Sequence, residues 1–165
     1  MLIYNKLKDP YHTLLRLLKI LDKYNDKEEI SHERLRIYDF LLANPYEIFN
    51  IKLQKSGKTY FKKFKNTFNM YDKTTLFFNL ESIQKTSIQY LIKNNILIKL
   101  QHDEIYKINK NKTFKELIAL LTETNSISEK ALSFIISNLN TIPLHREGGL
   151  KDRTGLLGYK YDARI

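Results

Sequence analysis

Apolar residues recur at helical spacing along most of this chain. Asp9 and Pro10 open the first run, Asp as a good N-cap and Pro as a suitable first helical residue. Leu14, Leu15, Leu17, Leu18 and Leu21 follow on one face, with Lys19, Asp22 and Lys23 on the other, which predicts a helix over 10–24. Ser31 caps a second helix over 32–43 with the stripe Leu35, Tyr38, Leu41 and Leu42, widened by Ile37 and Phe40. Ile30 before the cap and Leu35 at the fourth helical position are spaced for a hydrophobic staple. Pro45 stops this helix and begins a short one through Phe49.

The pattern then changes. From Lys52 to Lys65 the chain carries Lys52, Lys55, Lys58, Lys62, Lys63 and Lys65 with no acid, and Tyr60, Phe61 and Phe64 interleave. Ser56-Gly57 marks a turn, so a loop leading into a short helical or irregular segment ending near Phe68 is expected. Asn79 reads as the cap of a helix over 80–94 with the stripe Leu80, Ile83, Ser87, Ile88, Leu91 and Ile92. Ile96 to Leu100 is short, apolar and β-branched, Gln101 to Glu104 is polar, and Ile105 to Ile108 alternates, which together predict a β-hairpin. A helix running straight into a hairpin is the last half of a winged helix. Thr113 with Glu116, and Ser126 with Glu129, have capping-box spacing ahead of helices over 114–123 and 128–140. From Pro143 the composition shifts to glycine and arginine, and an extended tail is expected.

The predicted fold is therefore mainly α with a small β-hairpin (α+β). Its parts are an N-terminal helical part with the basic segment (1–72), a winged-helix hairpin part (73–112), C-terminal helices (113–142) and an extended tail (143–165). No internal repeat with a clean period is visible.

Charge narrows the partners. Lys+Arg number 28 against 18 Asp+Glu, a formal net charge of +10. A basic surface attracts nucleic acid or an anionic membrane. Lysine far outnumbers arginine, and asparagine and isoleucine are abundant, as AT-rich codons produce, so part of this charge is compositional background. Met1 to Pro10 lacks an apolar signal core, and no stretch approaches the roughly 20 apolar residues of a membrane span. A cytoplasmic protein with no membrane partner is expected. The absence of cysteine excludes disulfides, thiolate metal sites and cysteine nucleophiles.

Catalytic motifs are missing. There is no P-loop, G-x-G-x-x-G or G-x-S-x-G. His12, His32, His102 and His145 show no metal-ligand spacing, and Asp103-Glu104 sits on a hairpin turn where acids are common for conformational reasons. No catalytic, cofactor or metal residue is assigned. Lys52, Lys55, Lys58, Lys62, Lys63 and Lys65 are the nucleic-acid candidates, because lysines neutralise phosphates and release counterions. The interleaved aromatics have two readings: stacking on exposed bases, or Phe61, Phe64 and Phe68 facing the core at i, i+3, i+7.

Four stretches together resemble a known family. They are Asp9-Pro10-Tyr11-His12 with Leu14, Arg16, Leu17 and Leu18; Glu33-Arg34-Leu35-Arg36-Ile37-Tyr38-Asp39-Phe40-Leu41-Leu42 with Asn44-Pro45; Ile83-Gln84 leading to Asn94-Asn95-Ile96-Leu97; and Arg153-Thr154-Gly155-Leu156. The chain resembles the middle component of ABC-three-component systems, the small accessory subunit of Lamassu-type anti-phage defence. The resemblance implies a non-catalytic subunit beside an SMC- or Rad50-like coiled-coil ATPase and an effector, often a nuclease. It implies ATP and magnesium in the ATPase rather than here, help in sensing DNA without sequence specificity, and restraint of the effector until activation. Within the tail, Arg153, Leu156, Leu157, Tyr159 and Tyr161 are candidates for docking on a partner, aromatic and apolar anchors being what such an interface needs. The competing classes are a free-standing winged-helix regulator, which predicts a homodimer and one preferred operator, and a metal-dependent nuclease, which predicts magnesium-dependent cleavage.

Overall fold

The structure, a computed structural model, describes residues 8–54, 56–64, 72–101, 104–121 and 128–156. Along the chain run α1 (Pro10–Asp22), β1 (Glu29–Ser31), α2 (His32–Ala43), α3 (Pro45–Asn50), a 3₁₀ helix (Ser56–Lys63), α4 (Lys73–Asn79), α5 (Glu81–Lys93), β2 (Leu97–Lys99), β3 (Ile105–Ile108), α6 (Lys112–Leu121), α7 (Glu129–Leu139) and α8 (Leu150–Thr154). The mainly helical α+β class expected from periodicity is the one observed.

The first two helices begin where their caps place them. The Asp9 carboxylate accepts from the Tyr11 N–H at 2.8 Å, and Ser31 Oγ accepts from the Arg34 N–H at 3.3 Å, each satisfying an otherwise orphaned donor. Every residue of α2 from Leu35 to Leu42 is buried, so α2 is the central helix, buried all round rather than along one stripe. α1 packs on α2 and α5, and α3 and α7 also pack on α2. Buried apolar side chains from Leu15 to Leu156 form one cluster.

The hairpin is present with one addition. β2 and β3 pair antiparallel with Ile98 opposite Lys107, and β1 joins the outer side of β3 with Ile30 opposite Tyr106, giving the order β1-β3-β2. β1 has three residues, too few to show an alternation. Asn95 makes the turn into β2 at φ +55°, a left-handed conformation that asparagine tolerates better than most residues.

Three caps differ from expectation. Asn79 ends α4 instead of capping the next helix. Leu80 links the two, its N–H shared between Leu76 and Phe77 and its carbonyl accepting from Gln84. At 1% exposure, Leu80 is held there by burial rather than by capping chemistry. α6 starts at Lys112, so Thr113 is inside it. Asn111 caps it, accepting from the Phe114 N–H at 2.9 Å while its amide donates to the Asn94 carbonyl, which ties the helix to the turn between α5 and β2. α7 is capped by Ser128, which accepts from the Ala131 N–H at 3.2 Å. Ser126 lies outside the described residues, as do Phe68, His102 and Asp103.

The stretch from Pro143 is not extended as far as it is described. Residues 143–149 fold into a closed loop, with the Leu150 N–H donating to the Pro143 carbonyl at 2.7 Å, and α8 follows. A Cβ on Gly149 would lie 2.7 Å from the Arg146 carbonyl oxygen, and Gly155 ends α8 at φ +66°. These glycines serve a tight turn and a left-handed C-cap, not a flexible linker.

Candidate nucleic-acid and docking surface

The basic segment divides once side chains are placed. The Lys58 ammonium donates to the Ile51 carbonyl at 2.8 Å, so it serves the loop after α3. Lys52 is 75% exposed and 3.9 Å from Asp152, a distance and exposure at which an ion pair contributes little. Lys62 and Lys63 are exposed, and among the described residues neither has a carboxylate within salt-bridge reach. Lys55 and Lys65 lie outside the described residues.

The aromatics follow the core-facing reading in part. Phe61 is 2% exposed, 5.4 Å from the Phe134 ring of α7 and stacked on Phe64 at 6.1 Å. Tyr60 is half-buried, packed against the edge of the core. The Lys63 ammonium lies over its ring, 3.8 Å from the centroid, and Lys130 of α7 approaches the same centroid to 4.0 Å. Hydrogen bonding by Lys63, then the charges of Lys63 and Lys130, holds the Tyr60 phenol below its ordinary value. Lys130 escaped the sequence reading because it sits 67 residues beyond Lys63 on an unremarkable helical face.

The docking candidates meet the start of the same segment. The Lys52 N–H donates to the Arg153 carbonyl at 2.9 Å, and Arg153 Nη1 donates back to the Lys52 carbonyl at 3.0 Å. Arg153 Nε also donates to the Gly148 carbonyl. Lys52, Leu53, Gln54, Lys58 and Arg153 line an open groove there of about 600 Å³. Leu156 is 2% exposed and belongs to the core, so its side chain is engaged inside the fold. Leu157, Tyr159 and Tyr161 lie outside the described residues.

Three of the four stretches that carried the family resemblance converge on a buried polar network. Asp39, fully buried on α2, accepts from Arg16 Nε of α1 at 2.6 Å and from Gln84 Nε2 of α5 at 2.8 Å. Gln84 Oε1 accepts from Arg36 Nε at 2.9 Å, and Arg36 Nη1 reaches Glu33 at 2.7 Å. The Arg36 guanidinium also lies 4.6 Å from the centroid of Phe77, on α4. Glu33 in turn lies 3.7 Å from the Lys151 ammonium on α8. A second arginine of α2, Arg34, donates to the Leu139 carbonyl at 2.9 Å and the Asn140 carbonyl at 3.2 Å, satisfying orphan acceptors at the end of α7.

Beside this network, His32 Nδ1 is hydrogen-bonded to the Tyr106 hydroxyl at 2.9 Å. Burial lowers the His32 pKa; Arg36 and Lys85 act in the same direction, and Glu104 and Glu33 oppose it. The folded state therefore resists protonation that the unfolded chain accepts below about pH 6.5. Stability is expected to fall as pH drops from 7.5 to 5.5, and His32→Gln is expected to flatten that fall in urea denaturation. An unchanged slope in the variant rejects this assignment.

The family described as ABC-three component (ABC-3C) system Middle Component 5 matches the chain over residues 2–162. The chain belongs to this family. No curated protein and no solved structure matches it. An ABC-3C middle component works alongside the other components of its defence system, in an accessory role. In this middle component, Arg16, Arg36, Asp39 and Gln84 are structural residues joining α1, α2 and α5. Among the described residues no group of His, Asp and Glu is placed to hold a metal ion, and no helix is long and apolar enough to cross a membrane.

Proposed function

We propose that this middle component is the non-catalytic accessory subunit of a Lamassu-type anti-phage defence complex in the cytoplasm. It stands between an SMC-like coiled-coil ATPase, DNA and a nuclease effector, and helps hold the effector inactive until activation. The observation that carries the reading is the family match over residues 2–162. The β2–β3 hairpin directly after α5, with β1 added on the outer side of β3, supports a winged-helix docking unit. ATP and magnesium belong to the partner ATPase. DNA is met through the basic segment, without sequence preference, and the chain after Leu156 is the docking segment.

The test is affinity capture of the tagged chain co-expressed with its genomic neighbours, at gentle salt, read by mass spectrometry. Recovery of a coiled-coil ATPase with an effector is expected. Recovery of the chain alone, or only as its own dimer, overturns the reading.

One observation favours a free-standing regulator as the second reading. α5, the helix before the hairpin, exposes Ser82, Lys85, Thr86, Gln89, Tyr90 and Lys93. Amide, hydroxyl and ammonium groups are the types that contact base edges in a major groove. That reading requires a homodimer and an enriched operator in a binding-site selection, and a selection without a motif removes it.

A further inference from the structure

The geometry points to a duplex phosphate-backbone site formed by Lys62 and Lys63 of the 3₁₀ helix and Lys130 of α7, arranged around Tyr60 so that it reads phosphate and not bases. It rests on the reading that the basic segment faces DNA, and specifies which lysines act and on which form of DNA.

Three observations carry it. First, two ammonium groups from separate elements stand over one aromatic ring, at 3.8 Å and 4.0 Å from its centroid. Like charges this close repel each other. The ring quadrupole offsets part of that repulsion, and a phosphate anion bound beside them offsets more. Among the described residues no carboxylate is within salt-bridge reach of Lys62, Lys63 or Lys130. Second, the stem of this arrangement is fixed. Phe61 is buried against Phe134, which locks the 3₁₀ helix to α7 and sets the distance between the lysines. Lys62 extends the row, its ammonium 5.9 Å from the centroid of Phe49 on α3.

Third, the rings are already engaged within the fold. A base stacking on Tyr60 competes for the ring with the two ammonium groups 3.8 Å and 4.0 Å from its centroid. Phe61 is buried, and Phe64 is stacked on it. Single-strand binders depend on open aromatic faces, whereas a backbone reader needs only positioned cations. Charge without open faces selects the duplex backbone.

The experiment is fluorescence anisotropy of the full chain on a random-sequence duplex and a matched single strand, over a salt series. The wild-type chain is expected to bind the duplex at low salt with a steep salt dependence. In Lys62→Gln/Lys63→Gln/Lys130→Gln, the slope of log K against log salt is expected to flatten by about 0.9 for each lysine that contacts a phosphate. A far-ultraviolet spectrum and urea midpoint like those of the wild type establish that the variant is folded. Tyr60→Leu is expected to leave single-strand affinity within about twofold, whereas loss of a stacked base costs about fivefold or more. An unchanged slope in the triple variant, a fivefold loss in Tyr60→Leu, or no duplex binding by the wild type overturns the proposal. So does loss of partner capture by the triple variant with its DNA slope intact, which makes the row a contact for an acidic protein. Partner capture by the wild-type chain decides the accessory-subunit reading separately, so the two can fail independently.

Discussion

Asp39→Ala is expected to destabilise the protein by about 3–5 kcal/mol, the range for breaking a buried ion pair by removing one partner. Asp39 is fully buried, and Arg16, at 6% exposure, has no route to water once its partner is gone. Gln84 Nε2 loses the same acceptor. Most of the cost is therefore the uncompensated guanidinium, not the lost attraction. Replacing both partners with apolar residues of similar volume, Arg16→Met with Asp39→Leu, is expected to cost clearly less than Asp39→Ala. Urea denaturation of the three proteins measures this. Equal losses in the single and double variants would show that the pair itself, rather than the stranded charge, supplies the stability. Three helices meet at this carboxylate, so the single variant is also expected to lose the cooperativity of its transition.

Phe61→Ala is the second large effect, expected at about 3–5 kcal/mol for truncating a buried phenylalanine. The side chain is 2% exposed, with ring contacts to Tyr60, Phe64 and Phe134. A 3₁₀ helix has poor hydrogen-bond geometry and rarely runs long, so this eight-residue example depends on its packing. The loss is therefore expected to be local first, with protease sensitivity appearing within 56–63 before global unfolding. Phe61→Leu keeps most of the apolar volume and is expected to lose less. If Phe61→Ala unfolds with the wild-type midpoint, the 3₁₀ helix is not held by this ring. Because Lys62 and Lys63 ride on that helix, a folded Phe61→Ala protein is also expected to bind duplex DNA more weakly.

These two predictions concern the same division of labour. The R-L-R-I-x-D-F stretch that carried the family resemblance builds the interior. Arg36 and Asp39 are buried, and Arg34 is turned to the end of α7, where it binds main-chain carbonyls. Arginines on such a helix invite a nucleic-acid reading, and the packing removes it: their donors face carboxylates and carbonyls of the fold. Lys62 and Lys63 of the 3₁₀ helix and Lys130 of α7, by contrast, are exposed and lack acidic partners among the described residues.

What the sequence determined by itself is what local interactions control. α1 and α2 were legible to within two residues at each end, because a cap and an apolar period act over one or two helical turns. The β2–β3 hairpin was legible for the same reason, its alternation and polar turn being contiguous. The net charge, and the family through its short stretches, were also readable directly. Tertiary structure alone decided the rest. β1 and α8, at three and five residues, are too short to show a period or to hold together alone, and exist because β3 and the core receive them. Asn111 displaced Thr113 as a cap because it also ties down the turn between α5 and β2. Lys130 joined Lys63 over Tyr60, and Arg16 met Asp39, only after helices distant in sequence had packed. Such pairings depend on where the whole core places each side chain, and no window of neighbouring residues contains that information.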